Sequence, residues 1–266
     1  MPRVKTRPLL GRGDPPPVEV LNPEGGMPLV LICDHAGRAI PRSLGTLGLS
    51  PAELGRHIAY DIGAEGVTRL LAERLDAPAV LAPYSRLVID CNRAPGHPES
   101  IIAMSDGTPI PGNQNLSVEA AEARIDSVFW AYHRAVSTTI ARHWRRLGIP
   151  PGVFSVHTFT PRFKGQDRPW DAGVLWNRDS RIATPLMDML ASLDGFKVGD
   201  NLPYSGLQSA YTIDIHGAAA GLPNCVIEVR QDQVDTPAGI AMWAARLADI
   251  LAKIFAAETI HRVQRF

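Results

Sequence analysis

The chain alternates between short apolar runs closed by polar residues and longer stretches with three- and four-residue apolar spacing. The first run is Leu29-Val30-Leu31-Ile32-Cys33, closed by Asp34-His35-Ala36-Gly37. Five consecutive apolar residues predict a buried strand, and the run is far too short to span a membrane. Comparable runs predict strands at 79–82, 87–90, 152–156, 172–176, 211–215 and 225–229. Ser50-Pro51-Ala52-Glu53 reads as a capping box with Pro at the first helical position, so a short helix starts there. After a break around 57–63, Val67, Leu70, Leu71 and Leu75 mark a second helix. The longest helix begins at Ser117, carries Ile125, Phe129, Tyr132, Val136 and Ile140 on one face, and stops at Gly148. Further helices are predicted over 182–193 and from Thr236-Pro237 onward, the last with Ile240, Trp243, Leu247, Ile250 and Ile254 inward. Strands alternating with long helices predict an α/β fold, a three-layer αβα arrangement on a mixed but mostly parallel sheet.

Two stretches depart from this rhythm. Residues 1–26 are rich in Pro, Gly and charge, with Pro15-Pro16-Pro17 among them, and read as an irregular N-terminal arm. A single α/β domain over 27–266 is expected to follow. Residues 94–116 show little periodicity, and a loop that long in a compact domain is usually a lid or a binding loop.

Composition narrows the function classes. With 266 residues and 45% hydrophobic content, the chain can bury a full core. Lys+Arg and Asp+Glu are equal at 27 each, so no global field draws nucleic acid or a membrane surface, and neither is an expected partner. Cys33, Cys91 and Cys225 all lie in apolar runs and read as reduced core thiols. The N-terminus is basic but lacks an apolar segment, so no signal peptide is expected and the cytoplasm is the expected location.

Chemistry gathers at the ends of the predicted strands, where open α/β sheets bind ligands. His35 and His157 each end a strand. Glu228 lies near the end of a third, with Arg230 after it, and Asp61 stands just before a helix. Two histidines and a carboxylate, with one position left for water, are the ligand set of a catalytic zinc. Such an ion acidifies water and polarises a carbonyl, and a second carboxylate nearby would serve as general base. Plainer readings stand beside these. His35 and His157 could be hydrogen-bonded core residues, and Asp61 an N-cap for the helix near Gly63. Asp34 could cap a loop or orient His35. Glu228 could be an ordinary strand residue facing solvent, but if it faces the core it needs a partner. His133, on the long helix, reads as structural. Among the remaining histidines only His216, after the 211–215 run, is placed like a site residue. Arg86, Arg93, Arg168 and Arg230 flank strand ends or loops; clustered, they would suit an anionic substrate, because guanidinium binds carboxylates through paired hydrogen bonds and can hold an oxyanion.

Taken together and in order, several segments resemble the N-formylglutamate amidohydrolase family. They are Cys33-Asp34-His35-Ala36-Gly37, Ala59-Tyr60-Asp61-Ile62-Gly63-Ala64, Ser85-Arg86-Leu87-Val88-Ile89-Asp90-Cys91-Asn92-Arg93, Val156-His157-Thr158-Phe159-Thr160-Pro161, Asn201-Leu202-Pro203-Tyr204-Ser205-Gly206 and Ile227-Glu228-Val229-Arg230. The resemblance implies a phosphorylase/hydrolase-like αβα core, related to the zinc carboxypeptidases and aspartoacylases. It implies hydrolysis of a small anionic N-acyl amino acid, N-formylglutamate in the type case. It implies zinc on His35 and His157, with Asp61 or Asp34 as the carboxylate ligand and Glu228 as the base. Arg86 would hold the oxyanion and Asn92-Arg93 the substrate carboxylate. Arg168, Tyr204, His216 and Arg230 complete the candidate substrate-binding set. Two departures mark a divergent branch. Arg38 stands three residues after His35, where the carboxypeptidase relatives have Glu, so the carboxylate ligand must come from elsewhere. Asp34-His35-Ala36-Gly37 replaces the Pro-His-Ser-Gly turn of the histidine-pathway members. The alternatives are another zinc-dependent deacylase or carboxypeptidase-like peptidase, and a non-catalytic binding protein on the same fold. A homo-oligomer is left open.

Overall fold

Seven strands form one mixed sheet in a computed structural model that describes residues 9–266, apart from the side chains of residues 208 and 209. They are β1 (Glu19–Leu21), β2 (Leu29–Cys33), β3 (Ala79–Leu81), β4 (Gly152–Phe159), β5 (Ala172–Leu175), β6 (Val198–Asp200) and β7 (Asn224–Arg230), in the order β1-β3-β2-β4-β7-β5-β6. The central strands β3, β2, β4 and β7 are parallel. β5 runs antiparallel to β7, β6 is parallel to β5, and β1 closes the other edge antiparallel to β3. A mostly parallel sheet must be covered on both faces. The covering helices are α1 (Ala64–Arg74), α2 (Trp130–Leu147), α3 (Ala183–Ala191), α4 (Tyr211–His216) and α5 (Pro237–Phe255).

Side chains alternate across a strand, so each strand feeds two cores. Leu29, Leu31 and Cys33 of β2, Phe154 and Val156 of β4, and Cys225, Ile227 and Val229 of β7 pack with α1, α3 and α5. Val30, Ile32, Val153 and Val226 pack with α2 and α4. The predicted αβα layering is therefore present. The local signals work as read at both ends of the chain: Ser50 and Glu53 form the reciprocal capping box, and the Thr236 side chain caps α5 above Pro237. The long helix starts with Ser117 as N-cap and passes through a π turn at Ile125–Phe129 before α2.

Several expectations are corrected. The 87–90 run is buried but is not a strand. Its carbonyls are taken by side chains instead: Asn113 donates to the Leu87 carbonyl at 2.9 Å, and the buried Arg124 donates to that of Val88 at 3.0 Å. The 211–215 run, which alternates like a strand, forms α4; Thr212, Ile213 and His216 are its buried residues, a helical spacing. β4 runs on through Phe159, so His157 lies within the strand rather than after it. The N-terminal arm is not wholly irregular, since Glu19–Leu21 joins the sheet, and its residues 1–8 lie outside the described residues. The 94–116 loop contains a small hairpin, Met104–Ser105 against Thr108–Pro109. A second hairpin, Arg162–Phe163 against Gln166–Asp167, follows β4. Among the described residues, no helix is long and apolar enough to cross a membrane.

Candidate active site

The carboxyl ends of β2, β4 and β7 bring His35, His157 and Glu228 together, and alternation decides which way they face. In the register of β4 and β7, His157 pairs with Glu228. Both share the parity of Val153 and Val226, so both point to the α2 side of the sheet. His35 sits two residues beyond β2, where the chain turns sharply. Gly37 permits that turn, because a Cβ there would lie 2.0 Å from the Pro83 carbonyl oxygen. Asp61 comes from the loop before α1, and its backbone N–H donates to the His35 carbonyl at 3.0 Å.

One oxygen of Asp61 lies 2.8 Å from Nδ1 of His157 and 3.3 Å from Nδ1 of His35. The three residues are buried, and their ligand atoms fall within 4.8 Å of one another, a group that could hold a metal ion. Asp61 does not cap the helix. That position belongs to Gly63, whose φ of 83° and contact with the Val234 backbone leave no room for a side chain. The outer nitrogens of both rings are also held. His157 Nε2 donates to Asp34 at 3.0 Å, and His35 Nε2 donates to Asp90 at 2.8 Å. Asp34 is thus the partner that orients His157, not His35. Asp90 does the same for His35. Its signal was the polar cluster closing the 87–90 run, the same construction as Asp34-His35.

The electrostatics follow from four buried carboxylates in one place: Asp34, Asp61, Asp90 and Glu228. Burial pushes the Asp34 carboxyl up, but the hydrogen bond from His157, the charges of His157 and His35 and a bond from Thr212 together outweigh it and hold the group at about 2. Asp61 and Asp90 are likewise held low against burial, Asp61 by its histidines and Asp90 chiefly by Arg86 and then His35. Burial raises Glu228 to about 7, with His157 as the largest opposing influence. Its Oε2 is buried with no hydrogen-bond partner. Arg86 is the nearest fixed cation, 2.6 Å from Asp90 and 3.5 Å from Asp61.

A cavity of about 310 Å³ opens beside Arg86 and Asp90. Arg93 and Tyr204 line it, as do Met104 and Asp106 of the 104–109 hairpin and Phe163 and Lys164 of the 162–167 hairpin. Of the other predicted site residues, Arg168 supports this wall from behind. Its guanidinium lies 4.8 Å from the Phe163 ring and 4.9 Å from that of Tyr204, and donates to the Tyr204 hydroxyl at 3.0 Å. Asn92 turns inward, its side-chain oxygen accepting from the Thr212 N–H at 3.1 Å. Arg230 and His216 do not join the group. Arg230 pairs with Asp232 and Asp171, and His216 pairs with His133 2.8 Å away.

Comparison with known proteins defines the class first: this is a hydrolase acting on amide bonds. A model of the N-formylglutamate amidohydrolase family matches residues 27–234, most of the chain, and the protein belongs to that family. Among solved structures it is similar to gene product Atu2144 from Agrobacterium tumefaciens, at 33% identity and a TM-score of 0.89, over 93% of this chain and 98% of that one. A bacteriophage poly-gamma-glutamate hydrolase is similar at 9% identity and a TM-score of 0.46, covering 90% of this chain and 89% of its own. The N-acetylmuramoyl-L-alanine amidase of Clostridium difficile 630 is similar at 10% identity and a TM-score of 0.42, over 86% and 97%. No curated protein matches the chain at a significant level.

Proposed function

We propose that this amidohydrolase removes the formyl group from an N-formyl acidic amino acid such as N-formylglutamate, releasing formate and the free amino acid, and that it uses zinc. The observation that carries the reading is the unpartnered, buried Oε2 of Glu228 beside the His35–Asp61–His157 group. The donor set suits a divalent cation on three counts. Two imidazoles and a carboxylate converge, and each imidazole has a carboxylate behind it, an arrangement that orients metal-binding histidines. Among the described residues, the four buried carboxylates face one fixed cation at ion-pair distance, Arg86, with Arg93 acting on Asp90 from farther off, so a dication would offset the remaining negative charge. His35, His157 and Asp61 would hold the ion, which supplies a Lewis acid able to polarise the amide carbonyl and acidify water.

The chain's own groups supply the rest. Glu228, poised near neutrality by burial, takes a proton from the attacking water and delivers it to the leaving amine. Arg86 is partly exposed toward the cavity and held by Asp90, so its guanidinium stabilises charge developing on the carbonyl oxygen. Arg93 receives the substrate carboxylate. Its existing ion pair, to Glu99 at 3.5 Å, is solvent-exposed on the glutamate side and is readily displaced. A cavity near 310 Å³ favours a small acyl group on a single amino acid over a peptide. The cytoplasm is the compartment we assign, on three buried unpaired thiols.

The test is a screen of zinc-loaded protein against N-formyl, N-acetyl and N-succinyl amino acids. Turnover of the N-formyl acidic members, with the others slow, is the expected result. Preference for N-acetyl or N-succinyl compounds would move the protein to a different deacylase class.

A further inference from the structure

Among the described residues, one cation on the cavity wall has no counter-ion. Arg86 is engaged by Asp90 and Asp61, Arg93 by Glu99, and His57 stands 3.5 Å from Asp106, which Arg56 also binds at 2.8 Å. Lys164 lines the same cavity, and among the described residues it forms no ion pair. Its ammonium rests only over the Phe163 ring, 5.3 Å from the centroid.

The backbone beneath it is unusual for lysine. Lys164 and Gly165 form the tip of the 162–167 hairpin with φ of 49° and 80°. Both central residues of such a turn need positive φ, which favours Asn, Asp or Gly in the first place. A lysine there is held against local preference, the kind of outlier that collects at ligand clamps. The hairpin base is pinned, because Arg168 stacks on Phe163 and Tyr204 and bonds Thr160 at 3.2 Å and the Tyr204 hydroxyl at 3.0 Å. The tip is therefore carried on a supported arm at the cavity rim.

We propose that Lys164 is a specificity-determining residue, pairing with a second carboxylate on the substrate while Arg93 takes the first. This rests on the proposed hydrolysis of N-formyl acidic amino acids and adds the residue that selects the acidic side chain, an ammonium that among the described residues has no counter-ion. The cavity's apolar members, Ile58, Ile102 and Met104, would flank the methylenes between the two charges.

The experiment measures binding as well as turnover. Metal-loaded wild-type, Lys164→Gln and Lys164→Arg proteins are titrated calorimetrically with L-glutamate and with L-norvaline, which shares the chain length but lacks the second carboxylate. The expected result is about tenfold weaker glutamate binding in Lys164→Gln, a change in norvaline binding under about twofold, and recovery in Lys164→Arg. Equal weakening of both ligands, or none, overturns the proposal, as does a wild-type protein that does not favour glutamate over norvaline. Hydrolysis of N-formylglutamate and N-formylnorvaline by the same proteins separates the two ideas. If wild-type protein cleaves both and Lys164→Gln leaves their kcat/KM ratio unchanged, Lys164 has no selective role while the deformylase reading stands. If neither is cleaved but glutamate binding still depends on Lys164, the reaction is misassigned and the anion clamp stands.

Discussion

Two pairs of buried histidines lie close together in this molecule, with similar spacing and opposite surroundings. The rings of His35 and His157 are 4.9 Å apart, edge to face; those of His133 and His216 are 5.1 Å apart and stacked. In the first pair every ring nitrogen meets a carboxylate oxygen. Burial alone would disfavour the imidazolium, but the carboxylates outweigh it and raise both groups. In the second pair no ring nitrogen meets a carboxylate. The hydrogen bonds run in one direction: Ser137 Oγ donates to His216 Nδ1, His216 Nε2 to His133 Nδ1, and His133 Nε2 to the Cys91 carbonyl. That chain is complete with both imidazoles neutral, and burial lowers both, His216 to about 4. Burial of a histidine therefore says little about its role. What decides it is whether the neighbouring groups favour an added positive charge or only a directed hydrogen bond.

The comparison can be broken most sharply at Glu228. Glu228→Gln keeps shape and volume but removes the proposed base, so kcat should fall by roughly 10²–10⁴-fold while the content of the proposed metal, read by elemental analysis, stays at wild-type level. Near-normal turnover would move the proton-handling role elsewhere. The next effect concerns the carboxylates behind the rings. Asp34→Asn and Asp90→Asn should each weaken the proposed metal's affinity by about 10–100-fold in a chelator competition, because each ring loses the charged acceptor behind it.

The same kind of change in the second pair should behave differently. His133→Ala strands the His216 N–H and the Cys91 carbonyl, so it should cost about 1–3 kcal/mol in denaturant unfolding. Metal content and the chemistry of the folded fraction should be unaffected. The smallest effect is a pH dependence whose sign follows from the depressed His216. Below its unfolded value near 6.5 the unfolded chain binds a proton that the native state refuses, so stability falls as pH drops from about 6.5 toward 4. By pH 5 that contribution should reach on the order of 1–2 kcal/mol. His216→Gln should flatten that part of the profile, and an unchanged slope would assign the acid sensitivity to other groups.

Apolar runs and helical spacing were enough to locate the central strands, the longer helices and the caps at Ser50 and Thr236, since these depend on near neighbours in the chain. They were also enough to put His35, His157 and Glu228 near the carboxyl ends of strands, although β4 runs on past His157, because alternation along a buried strand is local geometry. The carboxylates could not be assigned that way. Asp34, Asp61 and Asp90 each follow an apolar or loop segment, and their different jobs arise from which ring each meets across the sheet edge. The conformations of 87–90 and 211–216 were equally out of reach. One is held off the sheet by Asn113 and Arg124, and the other is coiled against α2 with Asn92 accepting from its Thr212 N–H. Arg168, Arg230 and His216 read alike as candidate ligand-binding residues. Folding made the first a support for the cavity wall and turned the other two away, because a side chain's partners come from segments far off in sequence and only packing brings them into range.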